Sequence, residues 1–532
     1  MASFTEKEKT SPALSQVVSS QEGVIHNVNL GYAAQLPRNR SMLSVLAMSL
    51  AIAAVPYGIG GPLISSIYGG GQLSMFLGVI VSVVLNCCVA VSLSELASRY
   101  PTSSGVYYWS YRLSEDSSYR KSLSFLTGWL WLIGNWTITL SVNFGFASLL
   151  AATISIYDPD FTATTWQLLL IFYALLVGTF FICGFGDRLL PYVDMVAAVF
   201  NALTILAVLL AVSTTAKAGR HSPAYALGHY DTTLSGWNSF SFFIGLLPPA
   251  YCFCAIGMIT SMAEECHEPE IEVPRAISLS VPVGGVAALF FVLPLCSTLP
   301  PLEDILSAPY GQALPYILIT VMGSKPGAVI VMVLLLIVTL LCSISITTAA
   351  SRCTWAFSRD KAVPGWRMWC RTDWGRPLLA LCLVTAVQMI LGLIYLGSTS
   401  AFTAFVSVGV IGLAMGYLVP ISISLASGRK QVSEARWKMG KRPGAAANVV
   451  AVLWILFELV LFSMPTVLPV TPVSMNYASV VLVGFGLVSG VYYVVSKDGK
   501  SAAESGRFHG LGILNRSAEF KGPPPEELVS WR

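Results

Sequence analysis

The chain has 532 residues, of which 55% are hydrophobic and 11% charged, with a mean hydropathy of +0.70 and a formal net charge of +4. An ordinary soluble domain carries about 25% charged residues, so this composition excludes a string of soluble domains, and so small a net charge gives no case for binding nucleic acid. Ser122 to Tyr157 and Ala276 to Leu302 hold no charge at all, and a helix needs only roughly 20 apolar residues to cross a bilayer core.

The first apolar run begins near Met42, after a mostly polar stretch, too late for a cleaved signal peptide. Apolar runs then predict twelve membrane spans, at 42–66, 72–96, 123–153, 165–185, 189–213, 237–263, 276–299, 327–351, 377–397, 401–423, 448–465 and 475–495. Segments 1–41 and 496–532 read as tails. With twelve spans both tails lie on one side. Of the 31 Lys and Arg residues, 28 fall in the tails and in the loops of that side; Lys217, Arg220 and Lys325 are the other three. Basic residues concentrate in cytoplasmic loops, so both termini are expected in the cytoplasm. The eleven cysteines have no zinc or redox spacing, and none falls in an expected external loop, so no disulfide is expected. Asn135 and Asn515 begin glycosylation sequons, one within a span and one in the tail; neither is expected to be modified.

Two spans carry helix breakers. Span 1 holds Gly58-Ile59-Gly60-Gly61-Pro62, and span 6 holds Pro248-Pro249 followed by Gly257. Proline lacks the N–H donor and clashes with the preceding turn. Irregular backbone survives at membrane depth only where it is buried or lines a wet cavity. Interrupted spans at corresponding places in two halves point to a transporter site.

Short motifs run in a fixed order along the chain. Leu36-Pro37-Arg38-Asn39-Arg40-Ser41 precedes span 1, and Gly60-Gly61-Pro62 lies within it. Glu95-Leu96-Ala97-Ser98-Arg99-Tyr100-Pro101 leads to Gly105-Val106-Tyr107-Tyr108-Trp109. Ala263-Glu264-Glu265, Pro274-Arg275-Ala276-Ile277, Ser351-Arg352, Ala356-Phe357-Ser358-Arg359-Asp360, Pro469-Val470-Thr471 and Met475-Asn476-Tyr477 follow. In this order the chain resembles the fungal amino acid/choline transporter family of the amino acid–polyamine–organocation superfamily, which includes GABA, choline and polyamine permeases. The resemblance implies an all-α membrane protein with a five-plus-five inverted repeat, 42–213 and 237–423, broken spans 1 and 6, and spans 11 and 12 (448–495) appended. It also implies ion-coupled uptake by alternating access. The chain departs from the pattern at Ala255-Ile256-Gly257, where similar proteins often carry Gly, an aromatic and Asp, and at Ser261, where they often carry His. Losing that Asp removes a negative charge from the site region and weakens a polyamine assignment.

The second half-helices of the broken spans, from Pro62 and from about Met258, should present free N–H groups to a carboxylate. Neither break holds an ionisable carboxylate, Lys or Arg, so a zwitterion is expected, its ammonium resting on freed carbonyls. The candidate substrate-binding residues are Tyr57, Gly58, Ile59, Gly60, Gly61, Trp136, Tyr251, Cys252, Phe253, Ala255 and Gly257. Tyr57, Tyr251 and Phe253 are equally suited to ordinary packing or to a partial cage for a quaternary ammonium.

Ionisable groups inside spans are functional candidates. Asp194 in span 5 and Glu458 in span 11 are the coupling candidates, with a structural partner favoured for Glu458. Glu95, Glu264 and Glu265, at span ends, are expected to pair with Arg99, Arg275 or Arg352 as an inner gate. The hydroxyls of Ser343, Ser345, Thr347 and Thr348 would ligate Na⁺ or bond back to their own helix. No catalytic residue, metal ligand or cofactor site is evident. The expected function is proton-coupled import of an amino acid or small amine, GABA-like or another zwitterion, across the plasma membrane. A choline or polyamine permease is the alternative, and a non-transporting nutrient sensor the alternative of another class.

Overall fold

A computed structural model describes residues 35–495, apart from 115–116, 187, 218, 373–374, 398 and 473. The segment 1–34, the tail 496–532 and with it Asn515 lie outside the described residues. The architecture is all-helical, with no β-strand among the described residues, where one isolated bridge joins Arg40 and Cys266.

Among the described residues, eleven helical segments are long and apolar enough to cross a membrane. They are span 1 (Met42–Gly60), span 2 (Gln72–Arg99), span 3 (Arg120–Ile154), span 4 (Thr165–Phe185), span 5 (Leu190–Thr215), span 6 (Asn238–Glu265), span 7 (Pro269–Thr298), span 8 (Lys325–Arg359), span 9 (Leu378–Gly397), span 10 (Ser407–Ala426) and span 11 (Lys441–Leu461). At the place of the expected twelfth stands a shorter apolar helix, Ala478–Val495. Spans 7 and 8 run further toward the basic side than hydropathy suggests. Arg275, Arg352 and Cys353 are therefore helical residues rather than loop residues.

Burial sorts the spans. The apolar windows of spans 6 and 1 are 83% and 78% buried, against 28% for span 9 and 33% for span 5. The two broken helices thus form the centre. Span 5 turns Val199, Leu203, Leu206 and Leu210 outward, a stripe at helical spacing suited to lipid.

Inside the expected Gly58–Pro62 segment the helix stops at Gly60, and turns at 61–63 precede Ile64–Tyr68; span 1 also breaks earlier, at Ala54. Met42–Ala53 ends there, Ala54 is left-handed (φ 39°, ψ 55°), and a second helix runs Val55–Gly60. Pro56 explains the position: it has no N–H for the Ile52 carbonyl, and its ring would strike that turn. Gly61 sits at φ −64°, ψ −58°, a helical conformation open to any residue. In span 6, Pro248 and Pro249 occupy the first turn of Leu247–Phe253, where a missing N–H costs nothing. The chain changes course at Cys254–Ala255, before the tighter helix Ile256–Glu265.

Candidate functional site

The break in span 1 frees two carbonyls. Tyr57 N–H donates to Ala54 rather than Ala53 (2.7 Å), and Pro56 donates to nothing. The Ile52 and Ala53 oxygens receive only thiols, from Cys342 Sγ (3.3 Å) and Cys252 Sγ (3.4 Å). S–H is a weak donor, so both oxygens keep acceptor capacity. Ile52 and Ala53 belong to the wall of a narrow cavity at the two breaks, with Tyr57, Gly58, Tyr251, Cys252, Ile138, Val142, Cys254, Ala255 and Ile346 as the other lining residues. No lining residue is Asp, Glu, Lys or Arg.

Glycine is required where the two broken spans touch. A Cβ on Gly58 would lie 2.6 Å from Ala53 O and 2.9 Å from Cys252 Sγ. The hydroxyl of Tyr57 rests on span 3, where a Cβ on Gly145 would come within 1.8 Å of it. Tyr251 Oη shares a 2.7 Å hydrogen bond with Ser141 Oγ of the same span.

Five of the expected binding residues therefore line the cavity: Tyr57, Gly58, Tyr251, Cys252 and Ala255. The others do not. Ile59 and Phe253 are buried in the core. Gly60 meets Leu314 and Phe291, and Gly61 meets the Tyr57 ring. Trp136 donates to Thr354 Oγ1 (2.9 Å), tying span 3 to span 8. Gly257 donates its N–H to Tyr417 Oη (3.0 Å), and that hydroxyl donates to Cys254 O (3.0 Å). One span 10 tyrosine thus clamps both sides of the span 6 break. The sequence reading missed Tyr417, Ser141, Gly145 and Cys342. For span 3 a signal existed: Ile138, Ser141, Val142 and Gly145 recur at helical spacing in a charge-free run.

At the basic end of the bundle, charged groups seal the core. Arg40, 1% exposed, gives Nη1 to Asp194 Oδ2 (2.7 Å) and Nε to Glu265 Oε2 (3.1 Å). Arg352 Nε reaches Glu265 Oε1 at 2.9 Å, and Ser345 Oγ donates to Asp194 Oδ1 at 2.7 Å. Burial opposes the charge on Arg40, yet the two carboxylates hold its pKa above the ordinary arginine value. Arg359 binds both oxygens of Glu264 (2.8 and 2.9 Å). Arg429 Nη2 lies 2.8 Å from each oxygen of Glu95. Of the expected carboxylate partners, then, only Arg352 takes part. Arg99 pairs with Glu434, and Arg275 is exposed. Arg40, Arg359 and Arg429 supply the rest. Glu458 is buried; Asn86 and Trp454 lie beside its carboxyl, while its Oε1 has no hydrogen-bond partner among the described residues. Ser343 Oγ and Thr347 Oγ1 are likewise buried without partners, whereas Thr348 bonds back to Ile344 O (2.8 Å).

Residues 41–485 match the family model for amino acid permeases. The chain belongs to the amino acid permease family. It is 27% identical to a choline transporter of Saccharomyces cerevisiae, over 86% of this chain and 81% of that protein. An uncharacterised amino-acid permease of Schizosaccharomyces pombe is 31% identical, over 88% of this chain and 86% of its own. A polyamine transporter of Saccharomyces cerevisiae is 28% identical, over 85% of this chain and 74% of its own. The permease is thus a multi-pass membrane protein of a transport family whose relatives are named for amino acids, choline and polyamines.

Proposed function

We propose that this permease imports a small zwitterion, an amino acid or a GABA-like amine, by proton-coupled alternating access within a five-plus-five inverted repeat. The observation that carries the reading is the uncharged cavity where spans 1 and 6 break together, with Ile52 and Ala53, whose carbonyls have lost their helical partners, in its wall. Carbonyl oxygens suit an ammonium, while the absence of a lining carboxylate disfavours a polyamine, whose several charges would be left uncompensated. The basic face, sealed by Arg40, Asp194, Glu265 and Arg352, is the cytoplasmic gate in its closed form. We place the protein in the plasma membrane.

For coupling, the geometry favours Glu458 over Asp194. Asp194 is held by Arg40 and Ser345. Glu458 has one oxygen without a hydrogen-bond partner; Asn86 and Trp454 lie beside its carboxyl, and Cys254 and Tyr417 are within its electrostatic reach. Its protonation would thus be felt at the residues that fix the span 6 break. A choline reading is favoured by Tyr57 and Tyr251 lining one cavity, since aromatic faces attract quaternary ammonium. Uptake of radiolabelled GABA, choline, proline and arginine in a transport-deficient yeast decides between the two. GABA or proline uptake supports the zwitterion, choline uptake alone replaces it, and arginine uptake alone ends the argument from the uncharged wall.

A further inference from the structure

Between spans 10 and 11 the chain folds into a groove of ≈ 820 Å³, counting its open mouth, lined by Lys430, Ser433, Lys438, Met439, Gly440 and Lys441 among others. Its floor is a fixed ion pair. Arg429 is buried and holds both Glu95 oxygens at 2.8 Å, Glu95 Oε1 accepts Met439 N–H at 2.7 Å, and Arg429 Nη1 reaches Asn448 Oδ1 at 3.2 Å. Gly444 makes room for this: a Cβ there would lie 2.0 Å from Arg429 Nη2.

The surrounding acids are already taken. Glu95 is paired with Arg429, Glu434 with Arg99 and Glu270 with Arg436. Lys430, Lys438 and Lys441 are exposed, and no ion pair to any of them is found among the described residues. Lys438 Nζ donates only to Ser433 O, at 2.5 Å. Three lysines thus line one groove, none of whose lining residues is acidic, beside a neutralised ion pair. The groove also lies where two spans end, Ala426 and Lys441. From there Val449, Leu453, Leu456 and Val460 form an exposed apolar stripe along span 11. A free phosphate would use only the lysines; a phospholipid would use the lysines and the stripe together. Basic pockets at span ends are suited to anionic headgroups.

We propose that this groove binds the phosphate-bearing headgroup of an anionic membrane lipid, with Lys430, Lys438 and Lys441 on the phosphates and the acyl chains along span 11. The inference is independent of the substrate carried. The test is equilibrium binding of radiolabelled dioctanoyl phosphatidylinositol 4,5-bisphosphate to the purified full-length protein in neutral detergent. Each lysine near an anionic headgroup contributes about a fivefold change in affinity. The triple variant Lys430→Gln/Lys438→Gln/Lys441→Gln should therefore bind at least about tenfold more weakly, and Lys438→Gln alone should show the same trend should the triple variant lose its monodisperse elution. Lys361→Gln/Arg367→Gln/Arg371→Gln, which removes equal charge from the loop between spans 8 and 9, should bind as the parent does. Inorganic phosphate and inositol trisphosphate should compete much less well than the lipid. Unchanged binding by the lysine variants, equal loss in the control, or equal competition by the soluble phosphates would each overturn the proposal.

Discussion

Arg40 Nη1 lies 2.7 Å from Asp194 Oδ2, joining the strap before span 1 to span 5 through two side chains that water does not reach. Removing one member of a buried pair leaves the other charge uncompensated, at a cost of roughly 3–5 kcal/mol. Arg40→Ala strands both Asp194 and part of Glu265. It should lower the thermal unfolding temperature of the purified protein and reduce uptake sharply. Arg40→Ala/Asp194→Asn should recover much of the stability, because the stranded carboxylate is neutralised, but not the uptake, because the gate stays unlatched. A double variant no more stable than Arg40→Ala would show that the pair is not what holds the strap.

Within the glycine motif, sensitivity should be greatest at Gly58, the glycine nearest the break at Ala54. Gly58→Ala places a carbon 2.6 Å from Ala53 O, with Cys252 on its other side, and should abolish uptake at normal surface level. At Gly61 the added carbon meets Tyr57 O at 3.0 Å, the carbonyl its own N–H already bonds in helical fashion, and the edge of the Tyr57 ring at 3.1 Å, which a small ring shift relieves, so Gly61→Ala should retain measurable uptake. Kinetics with a fluorescent-protein fusion, normalised to surface signal, give the comparison. The reverse ranking would return the site to the Gly60–Pro62 segment.

The span pattern was legible because hydropathy and the basic-residue bias are local, additive signals. The breaks were legible only as a pair. Span 6 was placed to within a few residues, since its prolines and Gly257 bracket Cys254–Ala255. In span 1 the glycines mark the interruption after Gly60, but the earlier break at Ala54 follows from Pro56, a lone proline with weaker weight in a sequence. Ala54 adopts φ 39°, which no alanine advertises in a sequence. The ion pairs were harder still. Arg40 and Asp194 are 154 residues apart, and charge type alone cannot choose Arg40 over Arg275 as a partner for Glu265. Tyr417 was invisible for the same reason: its role exists only once span 10 is folded against the span 6 break.

Tyr251 separates the two substrate classes. If two aromatic faces hold a quaternary amine, Tyr251→Phe should keep the affinity and Tyr251→Leu should lose about 0.5–2 kcal/mol of it. For a zwitterion held by the Ile52 and Ala53 carbonyls, Tyr251→Leu should change selectivity more than affinity. Ser141→Ala should then resemble Tyr251→Phe, since both remove the same 2.7 Å hydrogen bond. Competition curves with choline and GABA against the labelled substrate report both quantities.

The orientation rests on the basic-residue bias and has its own test. Lys438→Cys lies on the basic face and Ser222→Cys on the other. On a background in which the parent shows no reaction with an impermeant maleimide, Ser222→Cys should label on intact cells and Lys438→Cys only after permeabilisation. The opposite pattern would invert the gate assignment, because the Arg40 cluster would then close the outside.

Coupling gives the sharpest division between the buried carboxyls. Glu458 sits within electrostatic reach of Tyr417, and Tyr417 holds Cys254 O and Gly257 N–H across the span 6 break. A carboxylate buried without a counter-charge is unfavourable; a proton relieves it, and glutamine imitates the relieved form. Glu458→Gln should therefore fold, with stability equal to or above the parent. Its uptake should no longer rise on external acidification and should resist a protonophore, while exchange of internal for external substrate persists. Asp194→Asn should lower uptake yet leave whatever acid stimulation remains. If instead uptake fails on Na⁺ replacement, the carrier is the pair of unpartnered hydroxyls, Ser343 Oγ and Thr347 Oγ1. Ser343 shares a helix face with the cavity residue Ile346 by its spacing, and Thr347 lies one turn from Ser343. Ser343→Ala/Thr347→Ala would then weaken the Na⁺ dependence, and Glu458→Gln would leave it untouched.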